Sequence, residues 1–499
     1  MNMYRNYQLL EKLIRLREEV YQEGLETYKE WEKEIEREDY KESALNFAYY
    51  LALRRRDIRS LQEALVPYGL SSLGRLESRT IYNIDAVIKT LAILLNKDYP
   101  EEIKNLNTDS YLDGDILLQE KNIKIFGSKP SNRYSSIMVT LPTEAAEKYS
   151  LVRDLIAAGM NTARINCSHD NQKFWSKMIK NIRKAEKELG KECKISMDIA
   201  GPKTRIDAIY TTKMKPSVQV GEKLFLTGKK ELKSYYDYDI VLRCGTVEIL
   251  DLLKTEDPVL IDDGMIETKV AEVKEEGVVL EVVKLMSGKK GKIRAEKGLN
   301  FPKTNQSLPI LTEKDLEDLE FVLKNADIIG LSFVRTPEDI DVFHKEMVRV
   351  LGEEEARGKV IMAKIETVDG VNNLPEIIVK GASRNLFCVM IARGDLAVEA
   401  GYLRLSELQE EILWICEAAH IPVVWATEIL RNMAKTGIPT RAEITDAAMG
   451  GRADCMMLNK GEYIVDTVKA LDDILVRMKS HQYKKTHQLR ALSIAELEE

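Results

Sequence analysis

The sequence lacks the cysteine spacings that build disulfide frameworks or metal sites. Its six cysteines stand alone, with no Cys-x-x-Cys pair and no metal-ligand spacing. Several lie in apolar runs, where a free thiol behaves as a small hydrophobic group. This use of cysteine indicates a reducing compartment, the cytoplasm.

Long apolar runs and an excess of basic charge are also missing. No stretch reaches the roughly 18 uncharged apolar residues of a membrane span, and the charged N-terminal segment has no apolar core of a signal peptide. Lys and Arg number 74 against 81 Asp and Glu, a net charge of −7, which argues against general nucleic-acid binding. We therefore expect a cytoplasmic protein that binds neither membranes nor nucleic acid, although a local cationic pocket for a small anion stays open.

The first part of the chain has the pattern of amphipathic helices. The 499 residues are too many for one ordinary core, so more than one domain is expected. Apolar residues recur at helical spacing up to about residue 65, and a further helix is predicted over roughly 77–96. Scattered Pro and Gly residues indicate a polar linker over 97–135. We predict an α-helical N-terminal extension and linker over residues 1–135.

From residue 136 short apolar runs alternate with amphipathic helical runs. The predicted strands cover 137–141, 161–165, 194–198, 326–331, 359–364, 387–391, 422–426 and 454–458. Eight β/α units are the number that a closed parallel barrel requires. The predicted fold class is therefore α/β, a (β/α)₈ barrel over 136–202 and 300–485, followed by a C-terminal tail over 486–499.

One interval of this pattern is too long for a β/α loop. Residues 203–299 are strand-like with Gly turns, and Asp263-Gly264 is a strong hairpin signal. We predict a small inserted β-domain after the third barrel strand. Loops at this end of a barrel surround the active site, so the insert is placed to act as a lid.

Polar residues follow six successive predicted barrel strands at their carboxyl ends, where barrel active sites lie. Arg164, Arg205 and Lys364 are suited to phosphate binding. Glu366 and Asp395 come from adjacent strands and suit Mg²⁺ held by two carboxylates, substrate and water. A structural ion-pair network could give the same pattern at any single position. Basic groups with Mg²⁺ are what phosphoryl transfer needs.

At these positions the sequence resembles pyruvate kinase. The matching segments are 163–169 (ARINCSH), 197–203 (MDIAGPK), 262–266 (DDGMI), 297–302 (KGLNFP), 331–335 (LSFVR), 364–366 (KIE), 392–395 (ARGD), 426–427 (AT) and 439–443 (PTRAE). They occur in the family's order over roughly 137–480. The resemblance implies a member with a helical N-terminal extension and without the family's C-terminal domain.

The resemblance implies the glycolytic transfer of a phosphoryl group from phosphoenolpyruvate to ADP, giving pyruvate and ATP, with Mg²⁺ or Mn²⁺. Arg164 and Lys364 would hold the transferring group, and Glu366 and Asp395 the metal. The Gly394 and Asp395 backbone with the Thr427 hydroxyl would hold the rest of the substrate, and a general acid near Thr427 would protonate the enolate through water. The residues implied on the nucleotide side are Asn166, His169, Arg205 and Lys297.

The positions of the family's monovalent-cation site carry two departures. Asn166, Ser168 and Asp198 match the ligands, but Ile199 stands where a Thr is usual, leaving its backbone carbonyl. Lys203 stands where cation-dependent members carry Glu. A fixed ammonium at this position could replace K⁺, so K⁺ independence is our hypothesis.

Other departures leave two further hypotheses open. Glu428 replaces a Gln, and Asn459-Lys460 changes the segment after the last strand. A different Mg²⁺–enolate enzyme, such as a lyase, aldolase or other phosphotransferase, would use the same machinery. A non-catalytic regulatory binding protein would use the helical region as its working part. The resemblance also implies a homo-oligomer.

Overall fold

The computed structural model describes residues 2–491, with gaps at 71, 129, 234–237, 287, 289–290 and 305–307. Most of the predicted tail, residues 492–499, lies outside the described residues. Within the described part of the chain, no helix is long and apolar enough to cross a bilayer.

Helices α1 to α6 build the N-terminal region. They are α1 (Asn2–Glu32), α2 (Lys41–Arg54), α3 (Arg59–Leu65), α4 (Thr80–Leu95), α5 (Glu101–Lys104) and α6 (Asp113–Phe126). Helix α1 packs along α2 and α4. Its apolar residues Leu13 and Val20, two turns apart on one face, are fully buried in that contact.

Helix α6 lies where the sequence predicted a polar linker. Its Ile125 and Phe126 are buried with inward-facing residues from the amino ends of the barrel strands, including Ile328, Val360 and Cys455. The helix therefore closes the end of the barrel opposite the strand carboxyl ends. Its periodicity is weak because the polar residues Lys121 and Asn122 are buried too, which is why the pattern did not reveal it.

The barrel contains eight parallel strands in a closed sheet. Strands β1 (Ser136–Thr140), β2 (Thr162–Asn166) and β3 (Lys194–Asp198) precede the insert; β13 (Ile328–Leu331), β14 (Val360–Ile365), β15 (Leu386–Ala392), β16 (Val423–Ala426) and β17 (Cys455–Leu458) follow it. Nearly every strand residue is buried, as expected of a parallel sheet covered on both faces. The predicted (β/α)₈ barrel is confirmed.

Helices surround the barrel strands. They are α7 (Tyr149–Ala158), α8 (Gln172–Leu189), α9 (Glu313–Asn325), α10 (Pro337–Leu351), α11 (Glu353–Arg357), α12 (Val368–Asn372), α13 (Leu374–Arg384), α14 (Arg393–Ala400), α15 (Tyr402–Ala418), α16 (Arg431–Thr436), α17 (Arg441–Gly450) and α18 (Ile464–Lys479). Three of them, α9, α10 and α17, begin with a capping box, in which Thr312, Thr336 or Thr440 exchanges hydrogen bonds with an acidic residue three positions later.

The insert forms its own β-domain. Its strands are β4 (Ile206–Thr211), β5 (Ser217–Val218), β6 (Lys223–Thr227), β7 (Ile240–Cys244), β8 (Pro258–Ile261), β9 (Ile266–Lys274), β10 (Gly277–Leu285), β11 (Gly291–Lys292) and β12 (Leu299–Asn300). The β8–β9 hairpin turns through Asp262, Asp263 and Gly264, all with positive φ. A separate apolar core runs from Ile206 to Phe301.

The N-terminal region docks on helix α15 and the loop after it. The Asn46 side chain donates to the carbonyls of Ala418 and Glu77, both at 2.8 Å. His420 is buried and contacts the Ser43 hydroxyl at 3.0 Å. A short hairpin, β18 (Gln482–Tyr483) and β19 (Thr486–His487), follows α18.

Candidate active site

The guanidinium of Arg164 is fixed at the mouth of the barrel by two neighbouring strands. Its Nε donates to Asp198 Oδ2 at 2.8 Å, and its Nη1 donates to Thr140 Oγ1 at 2.9 Å. Asp198 is fully buried and Arg164 nearly so. Gly330 lets this pair form, because a Cβ there would lie 2.3 Å from Asp198 Oδ1.

The ammonium of Lys364 lies between three partners. It donates to Ser332 Oγ at 2.7 Å, pairs with Glu366 Oε1 at 3.1 Å, and lies 3.9 Å from Asp198 Oδ2. The same Asp198 oxygen thus faces both Arg164 and Lys364. Asp198 therefore holds both cations together at the mouth of the barrel.

Glu366 is a buried carboxylate between charges of both signs. Its second oxygen accepts the Phe333 backbone N–H at 2.6 Å, and Phe333 adopts an unusual positive φ of 60° to present that N–H. Burial, and then the nearby Asp395, raise the pKa of Glu366, while Lys364 acts in the opposite direction. Two carboxylates that repel each other this closely are a donor set suited to a hard divalent cation.

Lys203 connects the hinge of the insert to the barrel. Its Nζ lies 2.6 Å from Asp395 Oδ1 and 3.5 Å from Asp263 Oδ1, on the insert hairpin. Burial disfavours the ammonium, but Asp395 and Asp263 outweigh it and raise the pKa of Lys203. Lys203 is the residue that we hypothesised to replace a monovalent cation, and its ammonium contacts the carboxylate of Asp395, which is predicted to bind Mg²⁺.

Thr427 stands at a strained turn after strand β16. Thr427 and Glu428 both have positive φ, 66° and 62°, which is costly for a β-branched residue. The Thr427 hydroxyl accepts the Gly394 backbone N–H at 2.8 Å. Arg393 holds the turn by donating to the Ala426 carbonyl at 3.0 Å and to Asp446 at 2.9 Å. The structure thus brings together Gly394 and Thr427, the two residues to which the resemblance assigns the same part of the substrate.

A cavity of about 310 Å³ lies beside Arg164. The predicted nucleotide-side residues Asn166 and His169 line it, together with Arg431, Lys435 and Lys460. Burial, then Lys460 and Arg205, lower the pKa of His169, so its ring is neutral near pH 7. Glu428 forms an ion pair with Arg431 at 2.8 Å, so its negative charge is compensated locally.

The remaining predicted residues have partners of their own. Arg205 donates to the Glu296 carbonyl at 2.9 Å, and Lys297 pairs with Asp262 at 2.7 Å, both within the insert. The Ile199 carbonyl accepts the Ser332 hydroxyl at 2.7 Å. Asn166 Oδ1 accepts the Ser168 backbone N–H at 3.2 Å, and Ser168 itself is exposed.

Sequence reasoning missed several contributors to this site. Thr140, which orients Arg164, is the last residue of β1. A polar residue at the carboxyl end of a barrel strand is a signal that could have identified it. Arg431 and Lys435 carried no such signal, because they lie on the short helix α16, whose direction depends on the strained turn that begins at Thr427.

The protein-family comparison gives a match over residues 132–468 to the model described as pyruvate kinase, barrel domain. The chain is 33% identical over 371 residues to pyruvate kinase from Debaryomyces hansenii, covering 72% of this chain and 70% of that protein. It is 32% identical over 352 residues to pyruvate kinase 1 from Saccharomyces cerevisiae, covering 69% and 67%.

Among solved structures, the chain is similar to a pyruvate kinase from Cryptosporidium parvum. The TM-score is 0.61 at 27% sequence identity, covering 71% of this chain and 72% of that one. The likeness in sequence and in fold thus points to the same group of proteins and leaves about the first 130 residues outside the matched family model.

Proposed function

This chain belongs to the pyruvate kinase family, and we propose that it transfers the phosphoryl group of phosphoenolpyruvate to ADP, giving pyruvate and ATP in glycolysis. The observation that carries the proposal is the pair of cations, Arg164 and Lys364, held on one oxygen of the buried Asp198. Phosphoryl transfer depends mainly on positioning groups and neutralising charge, and a preorganised cation pair does both.

In the proposed reaction the bond between phosphorus and the enol oxygen breaks as a β-phosphate oxygen of ADP attacks phosphorus. Arg164 would bind the phosphoryl oxygens, since its Nε and Nη1 contacts to Asp198 and Thr140 fix the plane of the guanidinium. Lys364 would stabilise the electron pair left on the enolate oxygen. The carbanion carbon then takes a proton to become the methyl group of pyruvate.

Thr427 would orient the last step. Its hydroxyl accepts from the Gly394 N–H, so its own hydrogen is free to point toward substrate or water. We propose that a water molecule held by this hydroxyl delivers the proton to the methylene carbon. Gly394 and Asp395, at the amino end of α14, would hold the substrate carboxylate with backbone N–H groups, and the Gly394 N–H would be shared between this carboxylate and the Thr427 hydroxyl.

Glu366 and Asp395 would hold Mg²⁺ or Mn²⁺, which when bound would neutralise charge on the phosphoryl oxygens. The donor set fits: both are carboxylates, and the charge of Asp395 helps raise the pKa of Glu366. In the described part of the chain no cluster of three His, Cys, Asp or Glu side chains is placed to hold a metal. Two protein carboxylates with substrate and water as the other ligands match the usual habit of Mg²⁺.

The cavity beside Arg164 would take the nucleotide. His169, Arg431 and Lys460 line it, and Arg205 and Lys297 in the insert would approach when the lid closes. The ammonium of Lys203 would stand in for K⁺. The proposal also includes a cytoplasmic homo-oligomer.

The test is a coupled assay for pyruvate and ATP from phosphoenolpyruvate, ADP and Mg²⁺. We expect Lys364→Met to lower kcat by at least about 10²-fold, because it removes a charge aimed at the reacting atoms. Lys345→Met, an exposed lysine on α10, is the matched control and should keep the wild-type rate. Wild-type protein that forms pyruvate without ATP would instead favour another phosphoryl acceptor. Wild-type protein that binds phosphoenolpyruvate without turnover would favour a regulatory role.

A further inference from the structure

A second cavity, of about 580 Å³, lies between the N-terminal region and the barrel. Its walls come from the end of α2, the loop to α3, the segment before α4, Trp414 on α15 and the C-terminal hairpin. We call this cavity the α2–α15 groove. None of its lining residues is among those assigned above to substrate, nucleotide or metal.

The groove is cationic on an acidic protein. Its lining carries five basic side chains, Arg54, Arg55, Arg56, Arg59 and Lys485, and two carboxylates, Asp57 and Glu77. Glu19 and Glu23 also contact Arg56, and the charge summed over all nine groups stays positive at +1. The whole chain has a net charge of −7. A cationic cavity in such a chain concentrates small anions.

Three of the five cations are already paired with carboxylates. Arg56 contacts Glu19 and Glu23, Arg59 contacts Asp57, and Lys485 contacts Glu77. These pairs leave Arg54 and Arg55 as the charges available to a ligand.

Arg54 is held in place without a carboxylate. Its Nη1 donates to the Tyr50 hydroxyl at 2.6 Å, and its guanidinium lies 4.9 Å from the centre of the Trp414 ring. Among the described residues, Arg54 and Arg55 are both exposed, and neither forms an ion pair with an acidic group. A guanidinium fixed by an aromatic ring and a hydroxyl keeps donors free for an oxyanion.

The floor of the groove is apolar. Leu53, Leu73 and Leu76 form its base and are almost fully buried, so the apolar surface open to a ligand is that of the partly buried Ile58 and Trp414. A bare oxyanion would leave this surface and most of the volume unused, whereas a small organic body attached to it would cover the surface. Cations at the rim with an apolar surface beside them therefore favour one amphiphilic ligand.

We propose that the α2–α15 groove binds a phosphate monoester of a small organic molecule, with the phosphate on Arg54 and Arg55 and the organic part on Ile58 and Trp414. A phosphate carries about two negative charges and accepts bidentate hydrogen bonds from guanidinium, so it matches two unpaired arginines better than a carboxylate does. The ligand would bridge the N-terminal region and helix α15.

Binding at the groove has a direct structural route to the barrel mouth. Helix α15 carries Trp414 and packs against α14, which begins with Arg393, Gly394 and Asp395. A ligand that fixes Trp414 would therefore stabilise the packed helices α14 and α15, and with them the position of Gly394 and Asp395. The binding claim itself does not depend on the proposed enzymatic activity.

The test is isothermal titration calorimetry of the full chain with phenyl phosphate as the probe. We expect saturable binding with a Kd of about 1 mM or tighter that persists in Arg164→Met, and, in that background, a Kd at least about tenfold weaker in Arg54→Ala/Arg55→Ala. Arg55→Ala alone, which removes no contact seen in the fold, should also weaken binding. Arg349→Ala/Arg477→Ala removes the same charge from exposed helix positions on α10 and α18 and should bind as wild type does.

Two further titrations separate this site from others. Arg164→Met removes a cation of the barrel mouth and should keep the groove site, because the two sites share no residue. Inorganic phosphate should bind more weakly than phenyl phosphate. The proposal is overturned if wild type shows no saturable binding up to about 10 mM, if both arginine pairs lower affinity equally, if Arg164→Met alone abolishes binding, or if inorganic phosphate binds as tightly.

Discussion

Asp198 organises the charges at the barrel mouth. It is fully buried, and its Oδ2 accepts a hydrogen bond from Arg164 and lies 3.9 Å from the Lys364 ammonium. The Asp198 side chain thereby holds both cations where a substrate phosphoryl group can meet them. Small residues are required around it, as the contact of Gly330 with its carboxylate shows.

Lys203 gives the residue-scale prediction. Its ammonium already satisfies Asp395, so we expect the wild-type rate to change less than about twofold between Na⁺ and K⁺. Lys203→Glu should lose activity in Na⁺ and recover part of it in K⁺, because a carboxylate there needs a cation that the chain no longer supplies. Steady-state rates in the two salts at equal ionic strength test this.

Lys203→Met is the control for that experiment. It removes the charge without adding a carboxylate, so K⁺ should restore less activity than it restores to the Glu variant. Strong K⁺ activation of the wild type would contradict the hypothesis.

At the scale of single elements, α6 joins the N-terminal region to the barrel in two ways. Its apolar end fills the amino end of the barrel through Ile125 and Phe126. Its polar Lys121 donates to Ser43 on α2 at 2.9 Å, and Ser43 in turn contacts His420 of the barrel. One helix therefore contributes both packing and a buried polar chain.

The packing role predicts a large cost for truncating Phe126. Phe126→Ala should lower the free energy of unfolding by about 3–5 kcal/mol, because the side chain is fully buried and leaves a cavity. Ile123→Ala, on the same helix but half exposed, should change it by no more than about 0.5 kcal/mol. Urea denaturation of both variants measures the difference, and equal effects would show that α6 does not close the barrel.

The polar chain predicts a pH dependence of stability. Burial lowers the pKa of Lys121 from 10.5 to about 7. Between those values the unfolded chain holds a proton that the folded chain has released, so unfolding becomes harder as pH rises through this range. Relative to Lys121→Met, wild type should gain roughly 2 kcal/mol of stability between pH 7 and pH 9.

Lys124→Met, an exposed lysine on α6, is the control and should show no such gain. The window above pH 7 also excludes His420, whose pKa burial lowers to about 3, so that its ring is neutral throughout. A gap between wild type and Lys121→Met that stays constant from pH 7 to 9 would contradict the assignment.

At the scale of the whole molecule, the chain has separate apolar cores. The insert packs around Leu242, Leu280 and their neighbours, while the N-terminal helices share one continuous core with the outer layer of the barrel. The polar contacts of the insert with the barrel include the pair of Lys203 with Asp395 and the hydrogen bond that Asn300 on β12 donates to Glu399 at 3.1 Å. Such a division suits a lid that moves as a body.

This division predicts independent unfolding. Leu280→Ala, at a fully buried site of the insert core, should destabilise the insert by about 2–5 kcal/mol and produce a separate low-temperature transition in scanning calorimetry. The barrel transition should stay where it is in wild type. Val283→Ala, exposed on the same strand, is the control, and a single transition that moves as a whole in Leu280→Ala would refute the division.

The fold was largely predictable because its signals are local. Each barrel strand is a short apolar run, and polar groups such as Arg164 and Lys364 stand at fixed positions after or within these runs. Contacts that depend on distant parts of the chain were not predictable. The pairing of Lys203 with Asp395 and the burial of His420 against Ser43 arise only after the insert and the N-terminal region have docked.

The position of Phe126 in the chain also bears on biosynthesis. The ribosome makes α6 before any strand of the barrel that it closes, and its last partners, Cys455 and Met457, come near the end of translation. Until then the apolar residues at the end of α6 lack part of the barrel core against which they pack. Such long-range closure slows folding and leaves apolar surface open to association, so the nascent chain should depend on molecular chaperones until strand β17 has emerged.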